Sequence, residues 1–320
     1  MTSTLPRPAL RPGVLPILAA AVTAVLWASA FVAVRAVGRD FSPGALTLGR
    51  QLVGSLALTC VVLARSLRRG GFLRLPRGRL LVAVLGWGAA WFGLYNLALN
   101  TTERHLDAGT TALLVNLAPV LIVVLAGFLL GEGFSGRLMA GLLVAFTGVA
   151  LIAATTWRGG GELLGVLCGL AAALLYAGSA TAQKRLLVRI DALTLTWLGC
   201  LTGLVVALPF GPELFRQAAA APAGAVLGIG YLGVFPTAIA FLTWGYALSH
   251  VPAGRLAAST YVIPPLVVLQ SWLLLGEVPA PLAFLGGALC LAGVAVATVT
   301  GVRRVRRARV PGRTCPGTRL

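Results

Sequence analysis

The stretch AGTTALLVNLAPVLIVVLAGFLLGE at residues 108–132 occurs a second time, as AGRLAASTYVIPPLVVLQSWLLLGE at residues 253–277. The two copies lie 145 residues apart and agree at 10 of 25 aligned positions, including the closing Leu-Leu-Gly-Glu. Each copy carries a proline within its apolar run, Pro119 in the first and Pro264 in the second. The recurrence of so long a segment within one chain indicates a duplicated unit.

The duplication extends beyond these two copies. Corresponding positions include residues 45–48 and 192–195, which both read ALTL, and Trp27 and Tyr176. We therefore divide the chain into a first half at residues 14–156 and a second half at residues 163–302. An N-terminal tail of residues 1–13 precedes the halves, and a basic tail of residues 303–320 follows them.

The composition indicates that most of the chain lies in lipid. Hydrophobic residues make up 58% of it and charged residues only 11%, whereas about a quarter of a typical soluble domain is charged. A run of about 20 apolar residues can cross a bilayer as a helix, which pairs its backbone groups within one segment. Ten runs come near this length: 14–37, 43–64, 80–100, 106–130, 136–156, 163–183, 191–210, 223–248, 253–275 and 280–302. The sequence predicts an all-α integral membrane protein with ten transmembrane helices.

The basic residues predict the orientation and the relation between the halves. If both termini lie in the cytoplasm, that side receives 20 of the arginine and lysine residues and the other side receives five. Cytoplasmic loops show this bias. Each half contains five runs, an odd number, so the second half enters the membrane inverted. Two inverted five-helix repeats are typical of secondary transporters. The basic tail is expected to contact anionic lipid rather than nucleic acid.

Several features together resemble the drug/metabolite transporter superfamily, specifically its EamA-type ten-helix exporters. They are LWASAFVAVR at residues 26–35, Arg50 within the second run, and the two Ala-Gly…Pro…Leu-Gly-Glu copies. The resemblance covers about residues 14–302. It implies a multi-pass transporter of the bacterial cytoplasmic (inner) membrane that exports amino acids or other small metabolites. It also implies a central cavity lined by the first four helices of each half. The halves are not equivalent, since Trp197 stands in the second where Arg50 stands in the first.

The prolines of the two copies are candidates for a hinge or gate. Pro119 in the first copy, and Pro264 with Pro265 in the second, lack the N–H that would pair with a carbonyl one turn earlier. That carbonyl is expected near Val115 and near Thr260. A kink there either improves packing or shapes the cavity and its gate. Occurrence at matching positions of both halves favours the second interpretation.

Arg50 is the candidate for recognising the substrate. It lies about seven residues inside the second run, about 10 Å deep, where a charge costs about 2.5–3.5 kcal/mol. Either it caps backbone carbonyls and extends towards the membrane surface, or it faces the cavity and pairs with an anionic group of the substrate. No acidic residue lies deep in any predicted run, so no internal ion-pair partner is expected. This favours the cavity interpretation.

Polar and amphipathic side chains within the runs supply the other cavity candidates. Asn116 and Tyr261 occupy the same repeat position, three residues before the proline. The remaining candidates are Tyr95, Asn96, Trp244 and Gln270. The alternative for the aromatic residues is an anchoring role at the membrane interface.

Glu132 and Glu277 close the two copies, at the C-terminal ends of predicted helices. A carboxylate there opposes the dipole of the helix that ends but favours the start of the next one. We interpret both as residues of the turn that joins two helices. Proton coupling is the alternative interpretation.

The sequence contains no sign of an enzyme. The single lysine, Lys184, follows a glutamine, so the Gly-Lys of a Walker A motif is missing. There is also no HExxH motif and no nucleophile elbow. We expect no cofactor and no metal. The expected partners are a small-molecule substrate and membrane lipid, with protons as one candidate coupling ion. The expected function is export by alternating access; a non-amino-acid metabolite or drug as substrate, a channel and a membrane scaffold are the alternatives.

Overall fold

A computed structural model describes residues 14–69, 75–118, 121, 136–156, 161–251, 256, 259–278 and 280–298. All regular secondary structure within these ranges is helical. Pro119, Glu132 and both tails lie outside the described residues. The predicted all-α fold is confirmed, and the apolar helices described below make it a membrane fold.

The first half contains five described helices. They are α1 (Val14–Val37), α2 (Pro43–Arg69), α3 (Arg79–His105), α4 (Ala108–Val115) and α5 (Gly136–Thr156). The second half contains α6 (Gly161–Leu186), α7 (Ala192–Ala220), α8 (Ala223–His250), α9 (Ile263–Leu275) and α10 (Pro281–Thr298). Within the described ranges, six of these are long and apolar enough to cross a bilayer by length and composition: α1, α2, α3, α6, α7 and α8. The order of helices is thus the same in the two halves.

The two halves pack against each other through helix pairs rather than side by side as separate bundles. Helix α2 packs on α7, α1 on α8 and α9, and α3 on α6. Each of these pairs joins a helix of the first half to one of the second. The core is therefore shared between the halves, and a cavity at its centre is lined by both.

Among the described helices, α5 and α10 form the most extensive packing contact. Gly148 of α5 lies directly against the backbone of Gly286 in α10, and Gly293 of α10 lies against Gly141. The thiol of Cys290 donates a hydrogen bond to the carbonyl oxygen of Ala145 at 3.3 Å. Small residues let two helix backbones approach in lipid, where packing rather than hydrophobic burial drives association.

Two helices contain a π-helical segment at corresponding positions. In α3 it is Ala89–Leu94, and in α8 it is Gly233–Ile239, which contains Pro236. The two segments are related by the same repeat that relates the two copies. A π-helical turn widens the helix and leaves a carbonyl without its usual partner, and such turns are frequent at functional sites.

Candidate functional site

A narrow cavity lies at the centre of the molecule, between the two halves. Its volume is about 40 Å³, whereas an engineered cavity that binds benzene has a volume of about 150 Å³. The lining residues are Trp27, Ala30, Phe31, Arg50, Trp91, Tyr95, Asn96, Leu99, Val115, Asn116, Tyr176, Phe241, Thr260 and Ile263. Both halves contribute to the lining, and in this conformation the cavity offers very little space.

Six of the 14 residues that line the cavity are aromatic. Trp27 and Tyr176, which occupy corresponding positions of the two halves, meet edge to face with ring centroids 6.3 Å apart. Trp91 stands edge-on to both Tyr176 (5.6 Å) and Phe241 (5.2 Å). These separations and angles are those that aromatic rings favour when they pack. The wall is therefore largely apolar, and a few polar side chains also line it.

Arg50 is the cation of the cavity, and it is held by the opposite half. The side chain is only 4% exposed, and its Nε donates a hydrogen bond to Oγ1 of Thr237 at 2.6 Å. Oγ1 of Thr237, in the π-helical segment of α8, in turn donates to the carbonyl oxygen of Leu232 at 2.8 Å, immediately before that segment. No carboxylate in the described part of the chain lies within ion-pairing distance of Arg50. The guanidinium is thus oriented without being neutralised.

The π-helical segment of α3 is capped in a similar way. Nδ2 of Asn96 donates to the carbonyl oxygen of Trp91 at 3.0 Å, and Nε2 of Gln51 donates to that of Phe92 at 2.9 Å. Side-chain amides and a hydroxyl therefore donate hydrogen bonds to carbonyl oxygens that lack their usual backbone donor in the π-helical segments. Sequence analysis did not predict Gln51 or Thr237 as site residues. Gln51 directly follows Arg50, and Thr237 directly follows Pro236.

The structure brings four of the seven predicted cavity residues together: Arg50, Tyr95, Asn96 and Asn116 line the cavity. Trp244 lies behind the wall, with its ring 5.0 Å from that of Trp27. Its Nε1 donates to Oε1 of Gln183 at 3.0 Å.

The other two predicted cavity residues belong to the second copy and lie outside the lining. Tyr261 is partly buried, and its neighbour Thr260 takes the lining position. Gln270 lies further along α9, with its Oε1 buried and unpartnered among the described residues.

The helix is interrupted beside the cavity in both copies. Helix α4 ends at Val115, and a turn at Asn116 follows. In the second copy a 3-10 turn at Thr260–Val262 precedes α9. Pro264 and Pro265 therefore occupy the first turn of α9, where the missing N–H costs nothing.

One detail of the expected kink is corrected. The carbonyl oxygen of Thr260 was expected to lack a partner, because Pro264 cannot donate to it. The N–H of Ile263 donates to it instead, within the 3-10 turn. The hinge interpretation of Pro264 and Pro265 remains a prediction.

The turn that contains Glu277 ends α9 and connects it to α1. Gly276 has a positive φ of 67°, and the N–H of Glu277 donates to the carbonyl oxygen of Ser271 at 3.3 Å. This is the Schellman arrangement that favours glycine at a helix end. The Glu277 carboxylate forms an ion pair with Arg35 at 3.1 Å and lies 3.7 Å from Arg39.

A second cavity, of about 310 Å³, lies one helical turn from the first, towards the Glu277 turn. Helices α1, α2 and α3 contribute residues to the lining of both cavities. Helices of the second half also line the first cavity. Four charged side chains line the second cavity, namely Arg35, Arg39, Glu103 and Arg104. We call this space the outer vestibule, for the predicted outer side on which it lies.

Glu103 is a buried carboxylate that lies beyond the predicted run 80–100, near the end of α3. Run 80–100 was taken to end before it, but α3 continues to His105 and carries Glu103 into the core at 2% exposure. The hydroxyls of Thr101 and Thr102 donate to carbonyl oxygens of their own helix at 2.7 and 2.9 Å. These polar residues are therefore compatible with a buried helix. The polar stretch at residues 101–104 lies within α3 and does not end it.

The sequence matches the EamA-like transporter family twice, at residues 14–154 and at residues 163–299. A protein of Streptantibioticus cattleyicolor named "probable terminal-alkyne amino-acid exporter" is 38% identical, over 91% of this chain and 96% of its own. A "probable amino-acid metabolite efflux pump" of Salmonella typhimurium is 23% identical, over 72% of this chain and 81% of its own. Among solved structures, one crystal structure aligns with a TM-score of 0.59 and 23% identity, covering 89% of this chain and 97% of that one. This last likeness concerns the fold alone.

Proposed function

Because the chain belongs to the EamA-like transporter family, it is a transmembrane transporter, and we propose that it exports amino acids or similar small metabolites by alternating access. Two relatives named as an amino-acid exporter and as an amino-acid metabolite efflux pump support this cargo. The observation that carries the proposal is Arg50, a buried cation that lines the central cavity and has no described carboxylate partner.

The chemistry of the cavity suits a carboxylate attached to a small organic body. A guanidinium has five N–H donors, and Nε of Arg50 already uses its own on Thr237. The four N–H groups of the two Nη atoms match the two oxygens of a carboxylate in a bidentate pair. The amides of Asn96 and Asn116 and the hydroxyl of Tyr95 are further polar groups of the lining. The aromatic wall then contacts the apolar part of the substrate.

The small central cavity supports a cycle of closing and opening. In this conformation about 40 Å³ is too little for an amino acid. The chain interruptions at Asn116 and at Thr260–Val262 lie at the cavity and give each half a place to bend. Rocking of one half against the other would enlarge the cavity towards one side of the membrane and then towards the other.

We place both termini in the cytoplasm and the outer vestibule on the opposite side. The 20 to 5 distribution of basic residues supports this orientation. The vestibule then lies on the path by which a substrate leaves, and the bacterial cytoplasmic membrane is the expected location.

Two variants of the purified protein test the role of Arg50. In thermal unfolding with a panel of L-amino acids, a ligand at about 100 times its dissociation constant should add about 2.7 kcal/mol of stability. We expect stabilisation of the wild type and of Arg216→Ala, a control at an exposed arginine, and none of Arg50→Ala. A ligand that stabilises all three proteins equally would place the binding site elsewhere.

The transport proposal is tested in proteoliposomes loaded with the stabilising amino acid. Saturable efflux that accelerates when the same amino acid is present outside is expected of a carrier. Efflux that rises linearly with concentration would favour a channel instead. The aromatic wall of Trp27, Trp91 and Phe241 favours one alternative cargo, an apolar aromatic metabolite or drug, so such compounds belong in the same panel.

A further inference from the structure

Glu103 is a buried carboxylate that the transport site does not use. Both of its Oε atoms are buried and lack a hydrogen-bond partner among the described residues. The same holds for Oδ1 of Asn100, one turn earlier on α3. Removing a charged carboxylate from water without a partner is costly, and such a group avoids the cost by taking up a proton. Its environment therefore favours a neutral side chain in this conformation.

The surrounding charges do not neutralise Glu103. The charged or titratable groups near it are Arg35 and Arg39 of α1, Arg50 of α2, Tyr95 and Arg104 of α3, Asp107 before α4, and Glu277 after α9. Arg35 is engaged elsewhere: its Nη1 donates to the backbone oxygen of Glu103 at 2.8 Å, and its Nε donates to Glu277 at 3.1 Å. From α6, Gly165 and Gly169 approach this end of α3.

The geometry distinguishes a proton from larger cations. The carboxylate oxygens of Glu103 are sealed inside the protein, although the residue borders the outer vestibule. A metal ion needs several oxygen ligands around it, and three arginines line the same vestibule. A proton needs no additional space and removes the charge of the carboxylate. The site is therefore suited to the smallest cation.

We propose that Glu103 binds a proton in the present conformation, called closed here because the Glu103 oxygens are shielded from water, and releases it when α1, α2 and α3 separate to open the outer vestibule. The proposal rests on the proposed function, and it makes the opening of the outer vestibule in that transport cycle depend on pH. On opening, the carboxyl O–H gives its proton to water in the vestibule and becomes a carboxylate. That carboxylate competes with Glu277 for the guanidinium of Arg35, so the ion pair that joins α1 to the end of α9 weakens as the vestibule opens.

The proposal fixes the sign of the pH dependence. The proton-bound form belongs to the closed conformation, so a lower pH favours closure and a higher pH favours opening. One proton changes the ratio of the two conformations by at most about tenfold per pH unit.

The proton is observed directly by infrared spectroscopy of the full-length protein in lipid bilayers, titrated with pH. We expect a protonated carboxyl band that disappears as the pH rises. It should be present in the wild type and in Asp40→Asn, which removes an exposed carboxylate at the same end, and absent in Glu103→Gln. Glu103→Asp should restore a titrating band at a shifted frequency. An identical band in the wild type and in Glu103→Gln would overturn the proposal.

Transport is measured separately, as efflux of a radiolabelled mixture of L-amino acids from proteoliposomes. We expect efflux by the wild type and by Asp40→Asn to vary with pH and efflux by Glu103→Gln to lose that dependence. Equal pH dependence in Glu103→Gln would overturn the proton site and leave the export function intact. An absence of amino-acid efflux in the wild type, together with the expected infrared band, would instead contradict the proposed cargo and support the proton site.

Discussion

Nε of Arg50 lies 2.6 Å from Oγ1 of Thr237, and this buried hydrogen bond joins the first half of the protein to the second. The two residues are 187 positions apart, on α2 and on the π-helical segment of α8. The duplicated halves have thus become specialised: one supplies the cation, and the other supplies the hydroxyl that orients it. In the second half Trp197 takes the position of Arg50, and its Nε1 donates to Thr59 at 2.9 Å.

Replacing Thr237 by valine is expected to weaken substrate binding more than it weakens the fold. Valine keeps the shape of the side chain but removes the acceptor for Nε of Arg50. A hydrogen bond to a charged group contributes about 1.5–3 kcal/mol, so the dissociation constant of a carboxylate ligand should rise at least about tenfold. Thr237→Ser keeps the hydroxyl and is the control. Isothermal titration of the stabilising amino acid measures both, and an unchanged affinity in Thr237→Val would contradict the orienting role.

Removing the polar caps of the α3 π-helical segment is expected to cost stability. Gln51→Leu would leave the carbonyl oxygen of Phe92 with one donor fewer, where Nε2 of Gln51 now lies at 2.9 Å. Nδ2 of Asn96 still donates to that oxygen at 3.1 Å, so the expected cost is that of one lost hydrogen bond, about 0.5–1.5 kcal/mol. Gln270→Leu, at a partly buried residue of α9 whose Oε1 has no hydrogen-bond partner among the described residues, is the comparison. Thermal unfolding in detergent should show a larger loss for Gln51→Leu, and the reverse order would show that the cap is dispensable.

Substitution of a glycine at the contact between α5 and α10 tests how closely these two helices pack. A methyl group on Gly148 would collide with the backbone of Gly286, so Gly148→Ala should force the helices apart and lower the unfolding temperature. Gly230 of α8 has no atom within 4 Å of the position a Cβ would take. Gly230→Ala should therefore be neutral or stabilise by up to about 1 kcal/mol, the difference in helix propensity. Equal effects of the two substitutions would contradict the close approach of α5 and α10.

The helical membrane fold was predictable because its signals are local and repeated. Long apolar runs identify helices in lipid, and the LLGE ending of the second copy marks the end of α9. The positive φ of Gly276 explains why glycine stands in that ending. Arg50 was found for a similar reason, since a single charge within an apolar run is conspicuous in the sequence alone.

The residues that sequence reasoning missed depend on partners far along the chain. Thr237 carries no local sign that it holds an arginine of the other half. Glu103 follows two threonines, and their polarity suggested the end of a span. Their hydroxyls bond to carbonyl oxygens of their own helix, so α3 continues and buries the carboxylate. Periodicity predicts where a helix lies, but the burial of one polar side chain depends on which helices pack around it.

The last prediction concerns two ion pairs that join the halves at opposite ends of the molecule. Arg35 pairs with Glu277 at 3.1 Å beside the outer vestibule, and Arg65 of α2 pairs with Asp191 before α7 at 3.2 Å. Each pair connects one half to the other, so each favours closure of the end at which it lies. Both are partly exposed, so either contributes only about 0.2–1 kcal/mol. That is enough to shift a balanced equilibrium between two conformations about fivefold at most.

The two pairs should therefore have opposite effects on the cavity. Glu277→Gln should make a cysteine placed at Leu46, in the lining of the outer vestibule, react faster with a membrane-impermeant thiol reagent added from the vestibule side. Asp191→Asn should slow that reaction, because it favours opening at the other end. Glu213→Gln, on α7 and outside both pairs, is the control and should leave the rate unchanged. If both ion-pair variants changed the rate in the same direction, the pairs would be general packing contacts rather than closures of opposite ends.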